Sequence, residues 1–402
     1  MVADGYKKTE IGVIPVEWEV VKLQDYVKLT SGKFNPKKNL QEEKNDNFKY
    51  PVYGGNGITG FFTDYLVSNS TIIIGRVGEY CGSVHLERNS MWITDNAIYT
   101  KEINSKFNID FLYETFGLIG LENLAERTGQ PKITQEPIYN LKIPLPPLKE
   151  QEKIADILST ADEKIDAIEG QIQKAETLKK GLLQKLLSEG IGHSDFKDSE
   201  LGKIPESWEV VELGSCVNGK GNYGIGAVAV NYDENLPTYL RITDIDDNGN
   251  FISSNKKCVD SPDASNYQLE DGDIVFARTG NTTGKTYLYN TDDGVLIYAG
   301  FLIKFTPNKE VLNTYYLKLQ ASTERYWNWV KVTSMRTGQP GINSEEYGNF
   351  LLPLPPLKEQ KQIAEILSTA DEKLEVLRAK KEKYETLKKG LLQKLLSGEV
   401  RV

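Results

Sequence analysis

The chain has 402 residues, 39% apolar and 26% charged, the balance of an ordinary globular protein with room for two or three cores. It holds no apolar run near the roughly 20 residues that cross a bilayer, and no apolar stretch follows the lysines of its first ten residues, so neither a membrane span nor a signal peptide is expected. Its net charge of −9 weighs against a protein that coats DNA unaided, since phosphate contacts want Lys and Arg gathered on one surface.

The first predicted elements are a turn and a strand, Gly12-Val13-Ile14-Pro15 and then Trp18-Glu19-Val20-Val21. Short β-rich runs bounded by Gly, Asn and Asp follow, such as Thr71 to Ile74. A helix is expected over Asn108 to Glu126, then a loop RTGQP (127–131), then PLPP (144–147). Pro147 suits the first position of a long helix, and Glu150 the first turn, where the helix dipole favours an anion. Beyond it Ile154, Leu158, Ala161, Ile165, Ile168, Ile172, Ala175, Leu182 and Leu186 recur at steps of four and three, a heptad seam interrupted by Lys179.

The chain is then written a second time. EIGVIPVEWEVVKL (10–23) reappears as ELGKIPESWEVVEL (200–213), offset by 190. IIIGRVGEYCG (72–82) matches IVFARTGNTTG (274–284) at 202, with a strand expected over Asp273 to Phe276 and a helix over Thr314 to Lys331. RTGQPKI (127–133) matches RTGQPGI (336–342) at 209, and PLPPLKEQ (144–151) recurs unchanged at 353–360. From there 32 of 45 positions are identical, ending in LKKGLLQKLLS at 178–188 and 387–397. The second seam runs Ile363, Leu367, Ala370, Leu374, Leu377, Tyr384, Leu391 and Leu395, with Lys381 and Lys388 in it; lysine there costs stability and can fix register.

The growing offset means one framework used twice, with inserts of different length and unlike sequence. Such a chain either reads two targets with one geometry or carries an old duplication without functional meaning. The fold class expected is α+β: two mixed α/β domains and two long helices that pack antiparallel as a coiled-coil rod with an internal pseudo-twofold repeat. A helix of about 40 residues spans about 60 Å; the alternative is that each helix packs separately on its own domain.

PLPPLKEQ opening a long heptad helix, twice, each time after a divergent domain, resembles the specificity subunit of type I restriction–modification enzymes over essentially the whole chain. The resemblance implies a first target recognition domain over 1–147, a central conserved helix over 148–190, a second recognition domain over 191–356 and a C-terminal conserved helix over 357–402. It implies double-stranded DNA, two methyltransferase subunits and restriction (translocase and nuclease) subunits as partners. It implies no catalysis and no cofactor on this chain, with S-adenosylmethionine, ATP and Mg on partner subunits, and helices that set the spacer between half-sites. The three cysteines, Cys81, Cys216 and Cys258, are odd in number and far apart, which fits a reducing cytoplasm.

Arg76 and Arg278 stand at matching places, a strand running into a Gly-containing loop, and either face DNA or form structural salt bridges. Arg127, Gln130 and Lys132, with Arg336 and Gln339, lie in the shared RTGQP loop, which suits phosphate contact better than base reading because targets differ and the loop does not. Base readers are sought in the unlike inserts: Lys33, Tyr53 and Asn56 in the first half, and Lys220, Tyr223, Arg241, Asn281 and Lys285 in the second. GKGNYG (219–224) lacks the following helix of a nucleotide loop, DIDDNG (244–249) lacks a glutamate at the twelfth calcium-loop position, and His85 beside Cys81 lacks partners for zinc. An enzyme would need a methyltransferase or Walker motif that the sequence does not hold, and a pure protein scaffold would not need two divergent inserts.

Overall fold

The computed structural model describes residues 3–34, 40–336 and 339–402. They form two compact units, Met1–Gly170 with Arg378–Val402, and Gln171–Leu377.

In the first unit a hairpin of Tyr6–Thr9 and Gly12–Pro15 leads into Glu19–Lys22, which pairs antiparallel with Lys142–Leu145. A four-stranded sheet follows in the order Val27–Ser31, Ala97–Ile103, Thr71–Gly75, Val84–Glu87. Every residue of Thr71–Gly75 is buried, which is why that strand reads as a continuous apolar run. A separate sheet of Gly57–Phe62, Tyr50–Gly54 and Trp92–Ile93 is the insert of this half. Helix α1 (Ile109–Ile119) packs on the larger sheet, and a short α2 (Gln135–Tyr139) precedes Lys142–Leu145. α1 stops earlier than the predicted Glu126 because Gly120 adopts φ 68°, a left-handed cap that other residues rarely take.

The second unit repeats this plan. Phe196–Ser199 pairs with Gly202–Pro205, and Glu209–Glu212 with Leu351–Leu354. Its framework sheet runs Asn222–Tyr223, Leu302–Phe305, Ile274–Ala277, Thr286–Leu288. The insert is a different sheet: Ala229–Asn231, Lys257–Val259, Thr238–Leu240, Leu296–Tyr298. The predicted helix over Thr314 to Lys331 is two helices, α4 (Thr314–Gln320) and α5 (Glu324–Thr333). Thr323 breaks it: its hydroxyl donates to the Gln320 carbonyl and accepts from the Tyr326 amide, an N-cap that competes with continued helix. The short α6 (Ser344–Gly348) follows the RTGQP loop.

Both long helices form: α3 (Leu148–Ser188) and α7 (Leu357–Leu396). Pro147 and Pro356 stand one residue before them rather than inside, their carbonyls accepting the first helical amides from Glu150 and Gln151, and from Glu359 and Gln360. Within the first unit Ile154, Leu158, Leu395 and Leu396 are buried together; within the second, Leu186, Leu187, Ile363 and Leu367 are. The pairing is antiparallel in each, and the seam lysines mark it. Lys388 lies 2.6 Å from Asp162 and Lys381 2.8 Å from Glu169 in the first unit; Lys179 lies 2.5 Å from Asp371 in the second.

The repeated Lys-Glu-Gln joins each long helix to its domain. Glu150 is buried and accepts from the Trp18 indole at 2.9 Å; Glu359 accepts from Trp208 at 3.1 Å. Gln151 and Gln360, both fully buried, each receive the amide of a helix-capping asparagine, Asn108 or Asn313, at 2.8 Å. Their amide groups donate to two backbone carbonyls each. The second partner of each glutamate differs between the halves. Arg401 reaches Glu150 through Nε at 2.6 Å and Nη2 at 3.0 Å, whereas Glu359 takes the His193 ring at 2.8 Å and the Ile191 amide at 2.9 Å. Arg401→Ala is therefore expected to lower stability by about 2 kcal/mol, the cost of stripping a buried carboxylate of its cation, discounted because Arg401 is 37% exposed. Chemical denaturation checks this, and a loss below about 0.5 kcal/mol would contradict it.

Candidate nucleic-acid interface

Two segments that the repeat shares, the arginine-bearing strand end and the RTGQP loop, are brought together in both units. In the first, the Ile133 amide donates to the Arg76 carbonyl at 2.9 Å and the Gly78 amide to the Pro131 carbonyl at 2.9 Å. In the second, Ile342 donates to the Arg278 carbonyl at 2.9 Å and Gly280 to the Pro340 carbonyl at 3.0 Å. Each loop is thus held against its arginine by the same pair of backbone bonds, across different separations in sequence. Glycines permit the turns, with φ 90° at Gly78 and 71° at Gly280.

Arg76 is half-buried and its Nη1 donates to the Asp95 carbonyl at 3.3 Å. Arg278 lies with its guanidinium carbon 4.8 Å from the Tyr223 ring centre, a stacked cation. The Tyr223 hydroxyl in turn accepts the Ser344 amide, which opens α6. Neither arginine forms a salt bridge among the described residues. Arg127 and Gln130 are exposed, Lys132 pairs with Glu126 at 3.1 Å in solvent, and Gln339 is exposed with its amide beside Gly280. Arg336 is tied by Nη2 to Glu346 and by Nη1 to the Thr333 carbonyl. Thr337 and Gly338 of this loop lie outside the described residues.

The insert candidates fall into two groups. Lys33, Asn56, Lys220, Tyr223 and Asn281 are exposed, Asn56 at the tip of the hairpin between Tyr50–Gly54 and Gly57–Phe62. The other three are engaged inside the protein. Tyr53 is 7% exposed and donates to Glu87 at 2.9 Å; burial first, and then that carboxylate, push its phenol well above the usual range. Arg241 grips both oxygens of Asp244, at 2.8 and 2.6 Å, and caps a turn. Lys285 pairs with Asp247 at 2.7 Å and donates to the Ile245 carbonyl. DIDDNG forms a tight turn in which Asp246 accepts the amides of Asn248 and Asn250, and Asn222-Tyr223 of GKGNYG is a strand, not the start of a helix. Two exposed aromatics, Tyr80 and Phe301, were not singled out by the sequence; the Phe301 carbonyl accepts the Arg278 amide at 3.0 Å.

If the RTGQP loop holds phosphate, Arg127→Ala should weaken DNA binding about equally for all sequences and reduce the slope of log affinity against log salt by about 1, leaving the selected motif unchanged. An altered motif would move Arg127 from backbone to base contact.

A model of the type I restriction modification DNA specificity domain matches residues 15–177 and again 205–386. The chain belongs to that family. It is 29% identical to the type I restriction enzyme MjaVIII specificity subunit of Methanocaldococcus jannaschii, covering 97% of this chain and 94% of the relative. It is likewise 29% identical to the putative MjaX specificity subunit of the same organism, covering 99% and 97%. The fold matches the crystal structure of a type I restriction–modification S subunit from M. genitalium, with a TM-score of 0.65, 18% identity, and coverage of 94% of this chain and 96% of that one.

Proposed function

We propose that this chain is the DNA-reading subunit of a type I restriction–modification complex, binding a bipartite, asymmetric double-stranded target. The observation that carries the reading is the duplicated seat of arginine strand end and RTGQP loop, placed beside insert sheets that differ: three-stranded in one unit, four-stranded in the other. A shared seat grips any duplex alike; unlike inserts read unlike half-sites. Residues 1–147 and 191–356 are the recognition domains, and 148–190 and 357–402 the helical regions.

Arg76, Arg127, Gln130, Lys132, Arg278, Arg336 and Gln339 are the framework contacts, and Lys33, Asn56, Lys220, Tyr223 and Asn281 the candidates for base contact. Recognition is the whole task of this chain. Methylation and cleavage fall to two methyltransferase subunits, with S-adenosylmethionine, and to restriction subunits, with ATP and Mg. The methyltransferases flip out one adenine in each half-site. The net charge of −9 fits this division, because a partner then encloses the DNA and supplies phosphate contacts. Three buried free cysteines suit the cytoplasm, and among the described residues no helix is long and apolar enough to cross a membrane.

The helices set the unread spacer. Deleting one heptad from each of α3 and α7 should leave both half-site sequences intact and shorten the spacer of duplexes selected from a random pool by the complex with its methyltransferase. Loss of any selected motif by the unaltered chain in that complex would reject the reading; an unchanged spacer would reject the helices' part in it.

A further inference from the structure

The three cross-helix ion pairs do different work. Moving seven residues along α3 from Asp162 to Glu169 moves seven back along α7 from Lys388 to Lys381, and the pairing of Lys179 with Asp371 keeps the same step. One antiparallel register therefore accounts for all three. The repeat relates α3 to α7 by 209 positions, so Lys179 corresponds to Lys388 and Asp162 to Asp371. Those two ion pairs are copies of each other. Two α3 helices from separate chains would form the same pair, as Lys179 with Asp162, and two α7 helices would form it as Lys388 with Asp371. These pairs fix direction and register, and they are blind to the partner's identity.

The third pair has no copy. The counterpart of Lys381 is Ile172 and the counterpart of Glu169 is Arg378. In the same register, two α7 helices would set Lys381 against Arg378 twice, and two α3 helices would set Ile172 against Glu169 twice. Like charges facing across a helix interface are a device against wrong pairing, and an aliphatic side chain gives a carboxylate no compensation. We infer that Lys381 and Glu169, with Arg378, form a self-recognition code by which α7 of this chain takes its own α3 and rejects the α7 of a second copy. The code is needed because the duplication left both helices with nearly the same seam. Lys381 is one-third exposed and Glu169 39%, so the code is legible to salt. The inference is independent of what the recognition domains bind.

The test uses the purified full chain. Sedimentation velocity at low salt should give the mass of one chain for the parent. Lys381→Glu faces Glu169 with a like charge and offers two attractive pairs to the Arg378 of another α7, so its dimer fraction should rise several-fold. Mixing isotopically light and heavy chains before cross-linking should then yield mixed-isotope links between two α7 peptides. Adding Glu169→Lys, or raising salt to about 0.5 M, should return most of the single-chain mass. Arg378→Glu keeps both Lys381 and Glu169 in place and turns the α7–α7 repulsion into attraction, so it should also raise the dimer fraction if Lys381→Glu fails to fold. A parent that already dimerises through α7, variants that fold and keep the single-chain mass, or dimers linked only between α3 and α7, would each overturn the code.

Discussion

Replacing Gln151 by leucine is expected to cost the first unit about 4 kcal/mol, the largest effect of any single substitution proposed in it. Leucine fills nearly the same space, so no cavity is opened, and the loss is polar. The Asn108 amide loses its acceptor, and the carbonyls of Lys106 and Pro146 lose their donor, all where the side chain is fully buried. Each orphaned group costs about 1–3 kcal/mol, and the three are not fully additive. Because Asn108 also caps α1 through its own side chain, at 2.9 Å to the Asp110 amide, the first sign should be faster hydrogen exchange in α1. Gln360→Leu should do the same to α4 through Asn313. A loss under about 1 kcal/mol, with α1 still protected, would show that these bonds are replaced by water.

Arg278→Ala should weaken DNA binding by about 10- to 100-fold for all sequences alike, the range of a lost charge-assisted contact of about 1.5–3 kcal/mol. Folding should barely change. Among the described residues the Arg278 side chain contributes its stack on Tyr223, worth about 0.5–1 kcal/mol at a half-exposed site. Arg76→Ala is the matching test in the first half. Unchanged DNA binding in both, with stability lowered by more than about 1 kcal/mol, would make the two arginines structural.

Much of this arrangement was legible from spacing alone. The heptad steps gave both long helices, and lysines at seam positions marked where charges must meet. The doubled PLPPLKEQ located the junctions between helix and domain. What spacing could not reach were partners far apart in sequence. Glu150 read as a dipole-favoured anion, yet it and its counterpart Glu359 are each bound to an indole more than a hundred residues away, Trp18 or Trp208. The recurrence of tryptophan with glutamate in both halves was the available sign. Tyr53 sits in a loop-rich insert whose polarity suggested exposure, but the end of its strand, Val52, Tyr53 and Gly54, is buried on both faces. Arg241 looked free to reach a base because its acceptor, Asp244, also belonged to an acidic run that read as a turn. Arg278 on Tyr223 was missed as a pair because they stand 55 positions apart in sequence, although both were singled out separately.

The central claim is that two unlike domains on one duplicated frame read one split DNA target. It is tested most directly by co-expressing this chain with its methyltransferase subunit in a host free of adenine methylation and mapping modified adenines across the genome. The account predicts a single motif of two unlike halves with a fixed spacer. Soluble, assembled complex with no modified adenine, or modification at a continuous motif without a spacer, would contradict it.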